Sequence, residues 1–132
     1  MKDIICDEFQ SVVGEVLIRH HSILDILAKI SEGSGQINRA VTKSVTDCGC
    51  VSIDAEKVNI PKDIESVQQL REYLDSHLRG NMCPNCEDVL SNELGTLLFY
   101  CAALCNCVDI SLYDVFLKEY KKISALGIYN MS

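Results

Sequence analysis

The sequence is poor in the residues that mark disordered, extended or membrane-crossing chains. It has no tryptophan, only two prolines and seven glycines in 132 residues, so we expect an ordered chain. Its longest apolar run, residues 97–105, is much shorter than the roughly 20 residues that a bilayer-crossing helix needs. Asp3, Asp7 and Glu8 interrupt any apolar stretch that a secretory leader would require. The sequence therefore predicts a cytoplasmic protein without a membrane partner.

Basic residues are also scarce. Twelve Lys and Arg stand against 19 Asp and Glu, which gives a formal net charge of −7. Because neutralisation of phosphates by basic side chains dominates nucleic-acid affinity, this balance predicts no nucleic-acid partner. With 48% apolar and 23% charged residues, the composition is ordinary for one globular domain of this length. We therefore expect residues 1–132 to form a single domain.

Apolar residues recur at steps of three and four along most of the chain, which predicts an all-α fold, an antiparallel bundle of about five helices. The predicted helices cover residues 4–31, 35–47, 64–79, 84–108 and 111–125. Gly33 and Gly35 are expected to end the first helix, and residues 51–62 are expected to be loop. The leucine spacing of the fourth helix predicts that Leu94, Leu97 and Leu104 are buried.

Eight cysteines are the most unusual feature of the composition. Four of them form two tight pairs, Cys48-Gly49-Cys50 after the second predicted helix and Cys83-Pro84-Asn85-Cys86 at the start of the fourth. An antiparallel arrangement of these helices would bring the pairs together. In a reducing compartment, paired cysteines favour metal or redox chemistry over disulfides. Four thiolates suit tetrahedral zinc, so we predict a zinc site formed by Cys48, Cys50, Cys83 and Cys86.

Other interpretations of the same residues stay open. An iron–sulfur cluster would use the same four ligands, and His77 is a candidate to replace one of them. A Cys-Pro-x-Cys sequence at a helix N-terminus is also a place where the pKa of a thiol falls, so a metal or thiol redox sensor is an alternative function. A third interpretation is that the four cysteines are small buried residues in two turns. The residues expected to be core rather than ligands are His20, Cys6, Cys101, Cys105 and Cys107.

Residues 87–100, which read EDVLSNELGTLLFY, and residues 109–115, which read DISLYDV, resemble the MazG-like nucleotide pyrophosphohydrolases. The resemblance covers about forty residues of the C-terminal half. It implies an all-α MazG-like fold, a homo-oligomer and a nucleotide ligand. In that family one helix carries Glu-x-x-Glu and a second carries Glu-x-x-Asp, and these acids bind the magnesium that holds a nucleoside triphosphate for attack by water.

Matched to this sequence, the second family motif is Glu93-Leu94-Gly95-Thr96, with Thr96 in the place of the aspartate. The nearest candidate for the first motif is Glu72-Tyr73-Leu74-Asp75. The resemblance thus gives Glu72, Asp75 and Glu93 as candidate catalytic residues with Mg²⁺ as cofactor. Because a neutral hydroxyl is a weaker magnesium ligand than a carboxylate, we expect a helical metal-binding protein without robust pyrophosphohydrolase activity. A divergent Mg²⁺-dependent pyrophosphohydrolase is the alternative.

Overall fold

The computed structural model describes residues 4–17 and 21–126, and these form five α-helices and one two-stranded sheet. The helices are α1 (Ile4–Val16), α2 (Ile23–Lys43), α3 (Val67–Tyr73), α4 (Pro84–Val108) and α5 (Leu112–Leu126). A π-helical turn, Ser44–Cys48, extends α2, and strands β1 (Val51–Ile53) and β2 (Leu78–Gly80) pair antiparallel. The prediction of a mostly all-α fold is confirmed. In this part of the chain no single helix is long and apolar enough to cross a membrane. Helices α4 and α5 have the required length and composition only when they are taken together, and the pair is bent by 107°.

Helices α2 and α4 pack antiparallel and form the frame of the molecule. They come close at Gly33, where an added Cβ would lie 3.3 Å from Cδ1 of Leu97. The predicted helix end at this glycine is therefore wrong, because Gly33 is buried in the middle of α2. Packing outweighs the cost of about 1 kcal/mol that glycine carries inside a helix. Without a side chain at this position, the two helices can approach each other.

The predicted helix over residues 4–31 is also wrong, because the chain divides into α1 and α2. Ser22 is extended, and its hydroxyl accepts a hydrogen bond from the backbone N–H of Leu24 at 3.2 Å. This is an N-cap, which satisfies one of the free donors at the start of α2. The apolar spacing continues across the break and so hides it in the sequence. The interpretation of His20 as a core residue lies outside the described residues.

The core is formed where α1, α2 and the start of α5 meet the second half of α4. Its buried residues are Val13, Ile26, Ala102, Ala103, Cys105 and Leu112. The predicted leucine stripe of α4 is only partly correct, since Leu97 and Leu104 are half-buried and Leu94 is exposed. Alanine lies at the centre because a small side chain lets a neighbouring helix come close, and the leucines surround that contact.

Gln10 fixes α1 to the turn between α4 and α5. Its side-chain oxygen accepts from the N–H of Leu112 at 2.7 Å, and its side-chain nitrogen donates to the carbonyl of Ile110 at 2.8 Å. The side chain of Asn106 donates to the backbone carbonyl of Gln10 at 3.0 Å. These bonds join residues that are far apart in the sequence. They orient α1 against α4 independently of the apolar core.

In the segment between the two cysteine pairs, the structure differs from the predicted helix over residues 64–79 and from the predicted loop over residues 51–62. Helix α3 is shorter than the predicted 64–79, beginning after the N-cap Ser66 and ending at Tyr73. Residues 78–80 form β2 instead and pair with β1, which lies in the predicted loop 51–62. A side-chain oxygen of Asp75 accepts from the N–H of His77 at 2.9 Å, and His77 has a positive φ of 64°. This local turn ends the helical run before the ribbon.

Candidate metal centre

The first cysteine pair is positioned by the π turn at the end of α2. Gly49 follows it in the left-handed conformation with φ of 76°, and its N–H donates to the carbonyl of Ser44 at 2.9 Å. Glycine adopts this conformation without strain. Ser44 is buried, and its hydroxyl donates to the carbonyl of Val41 at 2.6 Å. The thiol of Cys50 lies 3.8 Å from the carbonyl oxygen of Ser44. The turn therefore holds Cys48 and Cys50 on either side of Gly49.

The second pair is positioned by the start of α4. Cys83 is the N-cap, and its sulfur accepts from the backbone N–H of Cys86 at 3.4 Å. Pro84 occupies the first helical position, where its missing N–H costs nothing. The predicted start of this helix is confirmed. Because residues three apart share one helix face, Cys83 and Cys86 lie beside each other.

The two-stranded ribbon connects the pairs. Val51, directly after Cys50, is buried and lies opposite Gly80, which precedes Cys83 by three positions. Gly80 has φ of 88°, and an added Cβ would lie only 2.8 Å from the carbonyl oxygen of Cys50. No other residue fits there without a shift of the backbone. The sequence does not predict this role, because Gly80 has the same local signal as a glycine that ends a helix.

The four sulfur atoms have the spacing of a single-ion site. All four Sγ atoms lie within 4.8 Å of one another, and those of Cys48 and Cys83 are 3.8 Å apart. Four sulfurs bound tetrahedrally at about 2.3 Å would be separated by about 3.8 Å. Cys48 is exposed and the other three are half-buried. The structure therefore brings together the four cysteines that the sequence spacing singled out, close enough to hold one metal ion.

Three of these thiols differ in pKa. The backbone N–H of Cys86 donates to the sulfur of Cys83, and this lowers the pKa of Cys83 to about 7. The hydrogen bond with Cys83 raises the pKa of Cys86 to about 12, and it also raises the pKa of Cys48. The thiolate of Cys83 is thus stabilised while Cys48 and Cys86 hold their protons more tightly. A cation bound by all four sulfurs would replace those protons, so metal binding should release protons.

The structure places His77 at the far end of the ribbon from the cysteines. Its carbonyl accepts from the N–H of Asp54 at 2.8 Å, and its ring Nδ1 accepts from the N–H of Glu56 at 3.4 Å. Within residues 4–17 and 21–126, the group able to hold a metal consists of the four cysteines alone. Of the cysteines expected in the core, Cys105 is buried with Cys6 packed against it, and Cys107 is exposed.

The three candidate catalytic acids have different surroundings. Asp75 accepts two hydrogen bonds from Arg79, at 2.6 and 3.0 Å, and the guanidinium holds the pKa of this carboxyl well below its usual range. Glu72 is exposed on α3, whereas Glu93 and Thr96 line a cavity of about 320 Å³ beside α4. In the part of the chain that the structure describes, these acids form no metal-holding group. The absence of robust hydrolase activity stays a prediction.

The chain matches no family model, no curated protein and no solved structure. Function must therefore be inferred from the chemistry of the site. A helical fold alone carries little functional information, because one fold hosts many activities. The group of four cysteines is the chemically specific feature of this molecule.

Proposed function

We propose that this protein binds one zinc ion through Cys48, Cys50, Cys83 and Cys86. The observation that carries the proposal is the spacing of the four sulfur atoms, all within 4.8 Å of one another. A structural zinc site is four-coordinate and tetrahedral, and four cysteine sulfurs complete it without a further ligand. Soft thiolates also select zinc over the hard cations magnesium and calcium.

The spacing favours one ion over an iron–sulfur cluster. In a cluster the four cysteine sulfurs are divided among two or four iron atoms, so sulfurs on different irons lie farther apart than the ligands of a single ion. Here all four sulfurs lie within 4.8 Å of one another, and those of Cys48 and Cys83 are at the edge length of a single-ion tetrahedron. A single zinc or iron ion fits this distance.

The ion would hold together the two ends of the segment between the cysteine pairs. In this segment, residues 52–82 include no fully buried residue, and α3 has none. The segment therefore has little core of its own to hold it. Binding at both of its ends would add metal-binding energy to the folding energy, since the ligands converge only in the folded chain.

Elemental analysis tests the proposal directly. The protein should be purified under reducing conditions, without added metal and without a chelating tag. We expect one zinc per chain, and tetrathiolate charge-transfer absorption when cobalt replaces the zinc. Iron with inorganic sulfide would replace the proposal by a cluster. Protein without stoichiometric metal that also takes up no zinc would overturn the metal site.

We also propose that a second copy of this chain covers the exposed apolar surface of α1 and α5. A stable interface buries about 800 Å² on each partner. Helices α1 and α5 contact each other, and Ile5, Phe116 and Tyr120 on them are 76%, 54% and 65% exposed.

Light scattering at micromolar concentration should give twice the chain mass of 14.7 kDa. Phe116→Glu should shift the mass toward the monomer, because a buried unpaired carboxylate opposes association. Lys122→Ala is the matched control on the same helix, where Lys122 forms an exposed ion pair with Glu119 at 2.9 Å. A monomeric mass for the unmodified protein would count against the dimer.

A further inference from the structure

The surface between α2 and α4 contains a cavity of about 330 Å³ beside the metal centre. Cys48 and Cys86 line it at the cysteine end, and Arg39 and Lys43 line it from α2. This volume falls in the range of about 300–1,000 Å³ that is usual for small-molecule sites. The cavity is formed by residues of α2, the π turn and α4 and contains no residue of α1 or α5.

Two basic side chains give the cavity its chemical character. Arg39 and Lys43 are four residues apart, so they lie on one face of α2. Neither takes part in an ion pair among the described residues, whose lysines and arginines in ion pairs are Lys29, Arg79 and Lys122. On the opposite wall, Asn85 lies in the first turn of α4, where its backbone N–H has no acceptor within the helix. These groups favour an anion.

Two acids also line the cavity and limit the kind of ligand. Asp47 lies at the cysteine end, beyond Lys43 in the chain. Glu93 lies toward the other end, where with Gln36 it also lines the neighbouring cavity of about 320 Å³. The basic pair thus lies between two carboxylates. A ligand with hydroxyl groups beside its charged group could donate hydrogen bonds to these acids while the basic side chains bind its charge.

We propose that this cavity binds a small hydroxylated anion whose phosphate or carboxylate group lies between Arg39 and Lys43. Charge-assisted hydrogen bonds from arginine to such groups are short and strong. A four-thiolate site is negatively charged, and along the helix axis Lys43 lies about 7.5 Å and Arg39 about 13 Å from Cys48. Because the screening length is about 8 Å at physiological salt, repulsion from the cysteine site acts mainly at Lys43, and the anionic group should lie nearer Arg39.

The test is a titration of the metal-loaded full chain, followed by heteronuclear NMR and calorimetry. The probes are inorganic phosphate, glycerol 1-phosphate and succinate. We expect binding of at least one probe in the millimolar range or tighter, with perturbed amide signals at Arg39, Lys43 and Asn85. Glycerol 1-phosphate should bind more tightly than inorganic phosphate, because its hydroxyls can donate to Asp47 and Glu93. Preference for succinate, which has no hydroxyl group, would count against a hydroxylated ligand.

Arg39→Ala and Lys43→Ala should each weaken binding about tenfold, since each removes a charged donor. Lys122→Ala on α5 is the control and should leave the affinity unchanged. Metal content is measured on the same samples, so loss of anion binding with retained metal separates this site from the cysteine site. The proposal is overturned if no probe binds at about 10 mM, or if the bound probe is indifferent to both basic substitutions.

Discussion

Replacing Cys83 with serine is expected to abolish stoichiometric metal binding and to lower the melting temperature by about 10 °C or more. Cys83 is the N-cap of α4 and lies 3.8 Å from the sulfur of Cys48. Serine is a good N-cap residue, so Cys83→Ser keeps the helix cap and removes only the sulfur ligand. Any loss of stability therefore reports on the metal.

The expected loss of stability follows from the coupling of metal binding to folding. Zinc contributes about 10–16 kcal/mol in peptides that fold only with the ion, and a protein with its own core depends on it less. A loss of about 3 kcal/mol is enough for the stated change in melting temperature. Metal content by elemental analysis and thermal unfolding under reducing conditions are the measurements. Addition of a strong chelator to the unmodified protein should reproduce the effect.

Cys107→Ser is the matched control, because Cys107 is exposed on the same helix and lies outside the group of four. It should leave metal content unchanged and the melting temperature almost unchanged. Equal losses in Cys83→Ser and Cys107→Ser would mean that the effect comes from cysteine substitution in α4 in general. Full metal content in Cys83→Ser would remove Cys83 from the ligand set.

The second large effect is expected from the core, where Ile26→Ala should lower the free energy of unfolding by about 2–5 kcal/mol. Ile26 is fully buried in α2 and belongs to the cluster that includes Val13, Ala102 and Ala103. The loss has two sources, the removed apolar contacts and the cavity left behind. Urea denaturation of the metal-loaded protein measures it, provided that unfolding is two-state.

Leu24→Ala is the control on the same helix, since Leu24 is 74% exposed and only its backbone N–H takes part in the cap with Ser22. Its effect should stay within about 0.5 kcal/mol. Metal content should be unchanged in both variants, which separates a defect of the core from loss of the ion. A cost for Ile26→Ala as small as that of Leu24→Ala would show that Ile26 is not a core residue.

The parts of the structure that the sequence predicts correctly are governed by local chemistry. The start of α4 is specified by Cys83 and Pro84, and its predicted range of 84–108 matches the observed helix. The approach of the two cysteine pairs follows from their places at the end of one helix and the start of another. Antiparallel packing of these helices suffices to bring the pairs together.

The parts that the sequence does not predict depend on distant partners. Gly33 resembles a helix end, but the contact with Leu97 keeps it inside α2. Leu78 continues an apolar spacing that fits a helix and Gly80 fits the end of one, but their pairing with Ile53 and Val51 makes them a strand. The position of Gly80 against the carbonyl of Cys50 is likewise a contact across the ribbon. Local sequence carries no signal for such pairings.

The long connection between β1 and α3, residues 54–66, divides the chain into two pieces that share one core. A peptide bond broken in this connection leaves Val13 and Ile26 on one fragment, and Ala102 and Ala103 on the other. Each fragment also keeps one of the two cysteine pairs. In a protein nicked there, a metal ion bound by all four cysteines would join two separate polypeptides, and reassembly of the fragments would depend on their concentration and on that of the metal.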